Sequence, residues 1–304
     1  MFVRQSLKKN LSRLFLVILI LLIIIEVLLR TIFGFCDAVL MRSDPDYEYI
    51  AIPQKRFRLG NHIYYNSLSQ RNNELTPQDS IIILGFGDSV INGGTQTDQD
   101  SLATSRLSEF LTKKYSIRYL VTNISANSWG PDNCYAYLKK NGNFRAKGIL
   151  LVVSSQDAYD DMNFVPVVGK DKDYPKEQYS LAIEELLDRY IIPRLFKKQI
   201  DVNTHLDINK QTANIPFNTG FENFKKYSDS TGIPLILYLH AEKNELRAGN
   251  YNQQGMQIIN YCKKRNIFLI KELDYHLSES AYRDNIHLNN LGQRKMFEIL
   301  KRFY

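Results

Sequence analysis

A hydroxyl that acts as a nucleophile needs a base to take its proton and donors to hold the charge its attack creates. One stretch of this 304-residue chain offers such a hydroxyl. Ile81 to Gly94 reads IIILGFGDSVINGG, an apolar run that ends on Gly87-Asp88-Ser89-Val90 and continues to Gly93-Gly94. Gly-Asp-Ser alone is also common as a plain turn. At the carboxyl edge of a sheet, on a glycine-flexed turn leading toward a helix, the same serine has an exposed hydroxyl, with its own N–H pointing into the same space. Asp88 then pins the turn through nearby N–H groups, and Gly93 and Gly94 let the chain pass close to a substrate. A base is offered near the C-terminus in YRDNIHLNNLGQRKMFEIL, where Asp284 and His287 stand three apart. At that spacing a carboxylate can hold the ring's Nδ1–H while Nε2 faces a serine brought in by the fold. Taken singly, they read rather as a surface Asp and His ahead of a helix that Asn289 caps.

The elements that must bring these residues together are legible after Ser80. Apolar runs at Ile81–Phe86, Arg118–Ile124, Ile149–Val153, Ile233–Leu239 and Ile267–Ile270 alternate with helical patterns at Leu102–Tyr115, Asp132–Lys140, Phe217–Tyr227 and Tyr251–Arg265, and a last helix covers Asn289–Phe303. Strands that are apolar throughout, each followed by a helix, predict a parallel sheet covered on both faces. Ligands of such sheets sit at the carboxyl ends of the strands. Phe217, Phe221, Phe224 and Tyr227 recur at helical spacing and read as core.

GDSV after the first strand, and D-N-I-H followed by L-N-N-L-G before a final helix, resemble the first and last sequence blocks of the SGNH/GDSL hydrolase superfamily. The resemblance covers about residues 80–304. It implies an α/β fold, a three-layer α/β/α sandwich with a parallel, flavodoxin-like sheet, with Ser89 as nucleophile, His287 as base and Asp284 orienting it. The family's oxyanion glycine after strand two falls near Asn127 or Ser128, where the only nearby glycine is Gly130. A backbone N–H is the donor required, so a residue other than glycine can supply it. At the family's asparagine after strand three stands Gln156, the same carboxamide on a longer stem. The implied oxyanion donors are therefore Ser89, Asn127, Ser128 and Gln156, with Gly130 near the substrate.

The remainder of the chain sets the location. From Leu14 to Ile25 every residue is apolar, and the character resumes around Glu26 and Arg30 to Phe33. Twenty residues at about 1.5 Å each span roughly 30 Å, a bilayer's hydrocarbon thickness. Arg4, Lys8, Lys9 and Arg13 precede the span with no acid among them, which predicts a cytoplasmic tail over 1–13, an anchor over 14–33 and a periplasmic or extracellular remainder. A cleaved signal peptide needs small residues that Phe33-Gly34-Phe35-Cys36 does not supply. Net charge is +7, of which the tail supplies +4, leaving too little to argue for nucleic acid. Cys36, Cys134 and Cys262 are expected as free thiols.

Residues 34–79 read as a stalk and lid that packs on the main domain, with a hairpin turning at Gly60-Asn61, and 80–304 as the hydrolase-like domain with an insertion over about 160–214. The insertion carries a helix around Gln178–Lys198, and Tyr159, Phe164, Tyr174 and Tyr179 offer faces suited to sugar rings or to plain packing. His240, ending the fourth strand, is placed at the pocket rim as a substrate contact, with a structural histidine as the alternative; His62, His205 and His276 have no argued partner. No metal spacing and no cofactor motif is found. The reading is a membrane-anchored serine esterase removing acyl groups from an envelope or exported glycan, with lipid esters also open. An O-acyltransferase would use the same triad. The imperfect middle blocks leave a noncatalytic glycan-binding or scaffold protein as the reading from another class.

Overall fold

A computed structural model of the protein describes residues 2–76, 81–195 and 216–304. The expected domain boundary at Ser80, His205 and the 196–214 part of the insertion lie outside the described residues. The chain opens with α1 (Phe2–Phe33) and two antiparallel hairpins, β1 (Met41–Asp44) with β2 (Glu48–Ala51) and β3 (Gln54–Arg58) with β4 (Asn61–Tyr65). An alternating α/β body follows: β5 (Ile81–Gly87), α2 (Ser89–Asn92), α3 (Ala103–Tyr115), β6 (Tyr119–Val121), β7 (Ile124–Ser125), α4 (Pro131–Asn141) and β8 (Gly148–Val153). Next come α5 (Ala182–Leu186), a π-helical turn (Leu187–Ile191), α6 (Ile192–Leu195), α7 (Thr219–Thr231) and β9 (Leu235–Leu239). The described chain closes with α8 (Lys243–Ala248), α9 (Gln253–Arg265), β10 (Phe268–Lys271) and α10 (Asn290–Leu300).

The main sheet is parallel and ordered β10-β9-β8-β5-β6, with β7 continuing along β5 beyond β6. This is the flavodoxin-like order, in which the chain leaves the first strand to one side and returns on the other. The loops beyond the carboxyl ends of β5 and β8 therefore part and open a crevice. Side chains alternate across β8: Ile149, Leu151 and Val153 pack with Leu138 of α4, Phe224 of α7 and Ile258 of α9. Leu150 and Val152 face Val90, Leu107 of α3 and Met296 of α10. Each such buried side chain contributes about 1.5–3 kcal/mol, and the result is the expected three-layer sandwich.

Two local departures have physical causes. The second strand breaks at Thr122-Asn123 because another segment docks there: Arg71 N–H donates to the Asn123 carbonyl (2.8 Å) and Asn123 N–H to Asn72 Oδ1 (2.9 Å). The β3–β4 turn is Leu59-Gly60, one residue earlier than expected, since Arg58 pairs with Asn61. Both turn residues have positive φ, 51° and 82°, as a type I′ turn demands. Residues 34–76 pack on the body, where Tyr47, Tyr49, Ile50 and Ile63 share one apolar core with Leu84, Phe86 and Trp129.

Within α1, Lys9–Phe33 is long and apolar enough to cross a membrane. Its far end is bonded to the insertion. Glu26 accepts the N–H groups of Ala182 (2.8 Å) and Ile183 (3.0 Å), the unsatisfied first turn of α5, and Arg30 donates to Glu26 (2.7 Å) and to the Ser180 carbonyl (2.6 Å). Just past the helix, Cys36 N–H donates to Glu185, which pairs with the buried Arg58.

Candidate active site

Ser89 is the first residue of α2, a single helical turn at the carboxyl end of β5. Asp88 Oδ1 accepts the Val90 N–H at 2.8 Å and caps that turn. Gly87 is required by crowding, because a Cβ there would lie 2.6 Å from the Val152 carbonyl oxygen. Burial raises the Asp88 pKa, opposed by the Val90 N–H. The loop before α10 brings the base: His287 Nε2 lies 2.9 Å from Ser89 Oγ and Nδ1 lies 2.7 Å from Asp284 Oδ2. The other oxygen, Asp284 Oδ1, accepts the N–H groups of Ile286 (3.0 Å) and His287 (2.8 Å). Burial works to raise the Asp284 pKa, but these N–H groups and the ring hold it below the ordinary carboxylate value. An ionised Asp284 keeps a proton on Nδ1 and leaves Nε2 to accept from the serine hydroxyl.

His240 is not at the rim. It is fully buried behind this loop, with Nδ1 2.7 Å from Glu272 Oε2 and Nε2 2.7 Å from the Ile286 carbonyl. An acceptor oxygen close to each nitrogen favours the doubly protonated ring. Burial alone would lower its pKa, but the Glu272 charge and these contacts push it up to about 9. Glu272 also accepts from Tyr238 Oη (2.8 Å) and Ala241 N–H (2.9 Å), and its pKa lies below the usual value despite burial. The carboxylate–imidazolium pair grips the loop that carries Asp284 and His287.

Ser89 and His287 open into a cavity of about 460 Å³. Its walls come from the chain after α1 (Ala38, Val39), the hairpins (Ile63, Tyr65), the loop after β7 (Asn127, Ser128) and the insertion (Tyr174, Tyr190). Ser128 has φ of 54°, the left-handed region glycine favours, at one of the two positions matched to the family's glycine. Gln156 is not brought to this cavity. It is exposed on a turn that Asp157 fixes by accepting the Ser154 N–H at 2.6 Å, and it is absent from the cavity walls. Gly130 is likewise elsewhere, buried where a Cβ would strike the Asp160 carbonyl at 2.2 Å. Of the four insertion aromatics, Tyr174 lines the cavity; Tyr159 packs on Phe217, Tyr179 bonds Asp188 and Phe164 is exposed away from it.

Sequence reasoning missed Arg71, whose guanidinium is fully buried and donates to the carbonyls of Asn92, Gly94 (2.6 Å) and Thr97 (2.6 Å). It braces the loop that follows the nucleophile. It also missed Arg283, which lines the cavity and donates to Gln96 at 3.3 Å. An arginine between polar residues gives no periodic signal, so neither was legible.

Fold and side chains together define an α/β/α protein with a serine, an imidazole and a carboxylate in one hydrogen-bonded line at a sheet's carboxyl edge. No protein-family model and no curated protein matches the sequence. Similar solved structures include the lipase/acylhydrolase from Enterococcus faecalis, 12% identical over 73% of this chain and 94% of that one, with a TM-score of 0.44. The Clostridium thermocellum family 3 carbohydrate esterase is 12% identical over 73% and 94%, with a TM-score of 0.43. An acetyl xylan esterase from Geobacillus stearothermophilus is 12% identical over 74% and 94%, with a TM-score of 0.41. Likeness this distant assigns no activity to the chain.

Proposed function

We propose that the protein is a serine ester hydrolase of the SGNH/GDSL kind, tethered by α1 to a membrane and removing acyl groups such as acetyl from an envelope or exported glycan. The observation that supports the chemistry is the line Asp284–His287–Ser89, with contacts of 2.7 and 2.9 Å. Ser89 Oγ attacks the ester carbonyl while His287 Nε2 takes the hydroxyl proton. The Ser89 N–H and a backbone N–H at Asn127 or Ser128 hold the oxyanion. His287 returns the proton to the departing alcohol, leaving acyl-Ser89. Water, deprotonated by the same nitrogen, then releases the acid and restores the serine. The polar and aromatic cavity, walled by Tyr65, Tyr174 and Tyr190, fits a sugar ester. The four basic residues before the span favour a non-cytoplasmic site.

Labelling with an active-serine phosphonate tests this reading. Wild type is expected to be modified and Ser89→Ala not, with ester hydrolysis falling by about 10³-fold or more. Absence of labelling in wild type would overturn it. Measuring free acid against transfer to an added oligosaccharide separates hydrolysis from acyl transfer.

A further inference from the structure

The uncharged apolar run of α1, Leu14 to Ile25, covers only about 18 Å at 1.5 Å per residue, short of the roughly 30 Å hydrocarbon layer. A sufficient span continues to Phe33 and so contains Glu26 and Arg30. Both side chains are bonded within the protein, although Arg30 keeps 42% of its side chain exposed. Glu26 accepts the first N–H groups of α5, and Arg30 binds Glu26 and the Ser180 carbonyl. Glu26 lies seven residues, about 10 Å, before Phe33. Whatever it holds is drawn to the bilayer's edge, and it holds the start of the helical segment 182–195.

Among the described residues, that segment carries an apolar surface that is left exposed. Leu187, Ile191, Ile192 and Leu195 are 36–73% exposed, Leu181 just ahead of them is 55% exposed, and α1, whose apolar side chains are also exposed, packs against α5 at the start of the segment. Of the segment's three acids, Glu185 and Asp188 are paired with Arg58 and Lys172, and Glu184 is exposed. Exposed apolar side chains grouped this way mark a contact surface. Arg189 and Tyr190 of the same segment wall the cavity that holds Ser89, as do Ala38 and Val39 just past α1.

We propose that the segment 182–195 lies along the bilayer surface beside the exit of α1, as an interfacial helix. The cavity, walled by that segment, is thereby held at the height of the lipid headgroups, where it meets esters carried on membrane-borne amphiphiles. This inference rests on reading α1 as a membrane anchor.

The test uses the full-length protein in phosphatidylcholine/phosphatidylglycerol vesicles, with a nitroxide label at Ile191→Cys or, separately, Leu195→Cys. The half-buried Cys36 is replaced by serine in every sample. Collision of the label with oxygen, which concentrates in lipid, is compared with collision with a water-soluble nickel chelate. Ile23→Cys in α1 and the exposed Ser230→Cys near the end of α7 serve as references. The expected oxygen-to-nickel ratio at 191 and 195 approaches that at Ile23 and exceeds that at Ser230 by about tenfold. Ratios at 191 and 195 equal to that at Ser230, with Ile23 in lipid, would overturn the interfacial helix and leave the anchor standing. A water-exposed Ile23 would overturn the anchor and this inference with it.

Discussion

Gln156 separates what a residue type implies from where a turn points it. Its carboxamide matches the family's donor, yet the short helical turn pinned by Asp157 leaves the side chain exposed and off the cavity. Gln156→Ala is therefore expected to keep hydrolysis within about threefold, whereas loss of a true oxyanion donor costs about 10²- to 10³-fold. Steady-state kcat/KM on a soluble acetyl ester decides between them. Ser89, Asp284 and His287 were legible because acyl transfer demands those residue types and the sheet rule located one of them. The place of His240 was not, because its partner comes from the next strand. Register sets Leu239 beside Lys271, so His240 and Glu272 follow as neighbours, and no one-dimensional pattern contains that pairing.

The elements of the sheet were readable because strands buried on both faces are apolar throughout, a signal that β5, β8 and β9 carry strongly. The β1–β2 hairpin, with Asp44 opposite Glu48, lacked that signal, since short strands around Pro45-Asp46-Tyr47 look like loop. The β3–β4 turn was found one residue off because Gly60 marks the second turn position, and Leu59 gives no sign of its own. A leucine held at φ of 51° pays for left-handed backbone that asparagine tolerates better. Leu59→Asn, giving the pair favoured in type I′ turns, is expected to stabilise the protein by about 0.5–1 kcal/mol. Urea unfolding with an unchanged slope would read that gain directly.

At the scale of the whole molecule, stability should depend on pH through the buried pair behind the active site. The folded pKa of His240, about 9, lies above its ordinary value near 6.5, so its contribution is complete below pH 6.5 and is lost as pH rises through 9. The unfolding free energy of wild type is expected to fall across that window by on the order of 3 kcal/mol more than that of His240→Gln. Parallel pH profiles for the two proteins would refute it. Glu272 acts at the other end, its depressed pKa placing its loss of contribution below the usual carboxylate range.

The nucleophile and its base stand 198 residues apart. Synthesis proceeds from the N-terminus, so α1 is made well before the loop bearing His287. On the proposed reading, a nascent chain already seated in a membrane would hold the serine without its partner, and hydrolysis could not begin until α10 docks on the completed sheet. The order of synthesis would then keep a half-translated form of such an esterase from cleaving esters in transit.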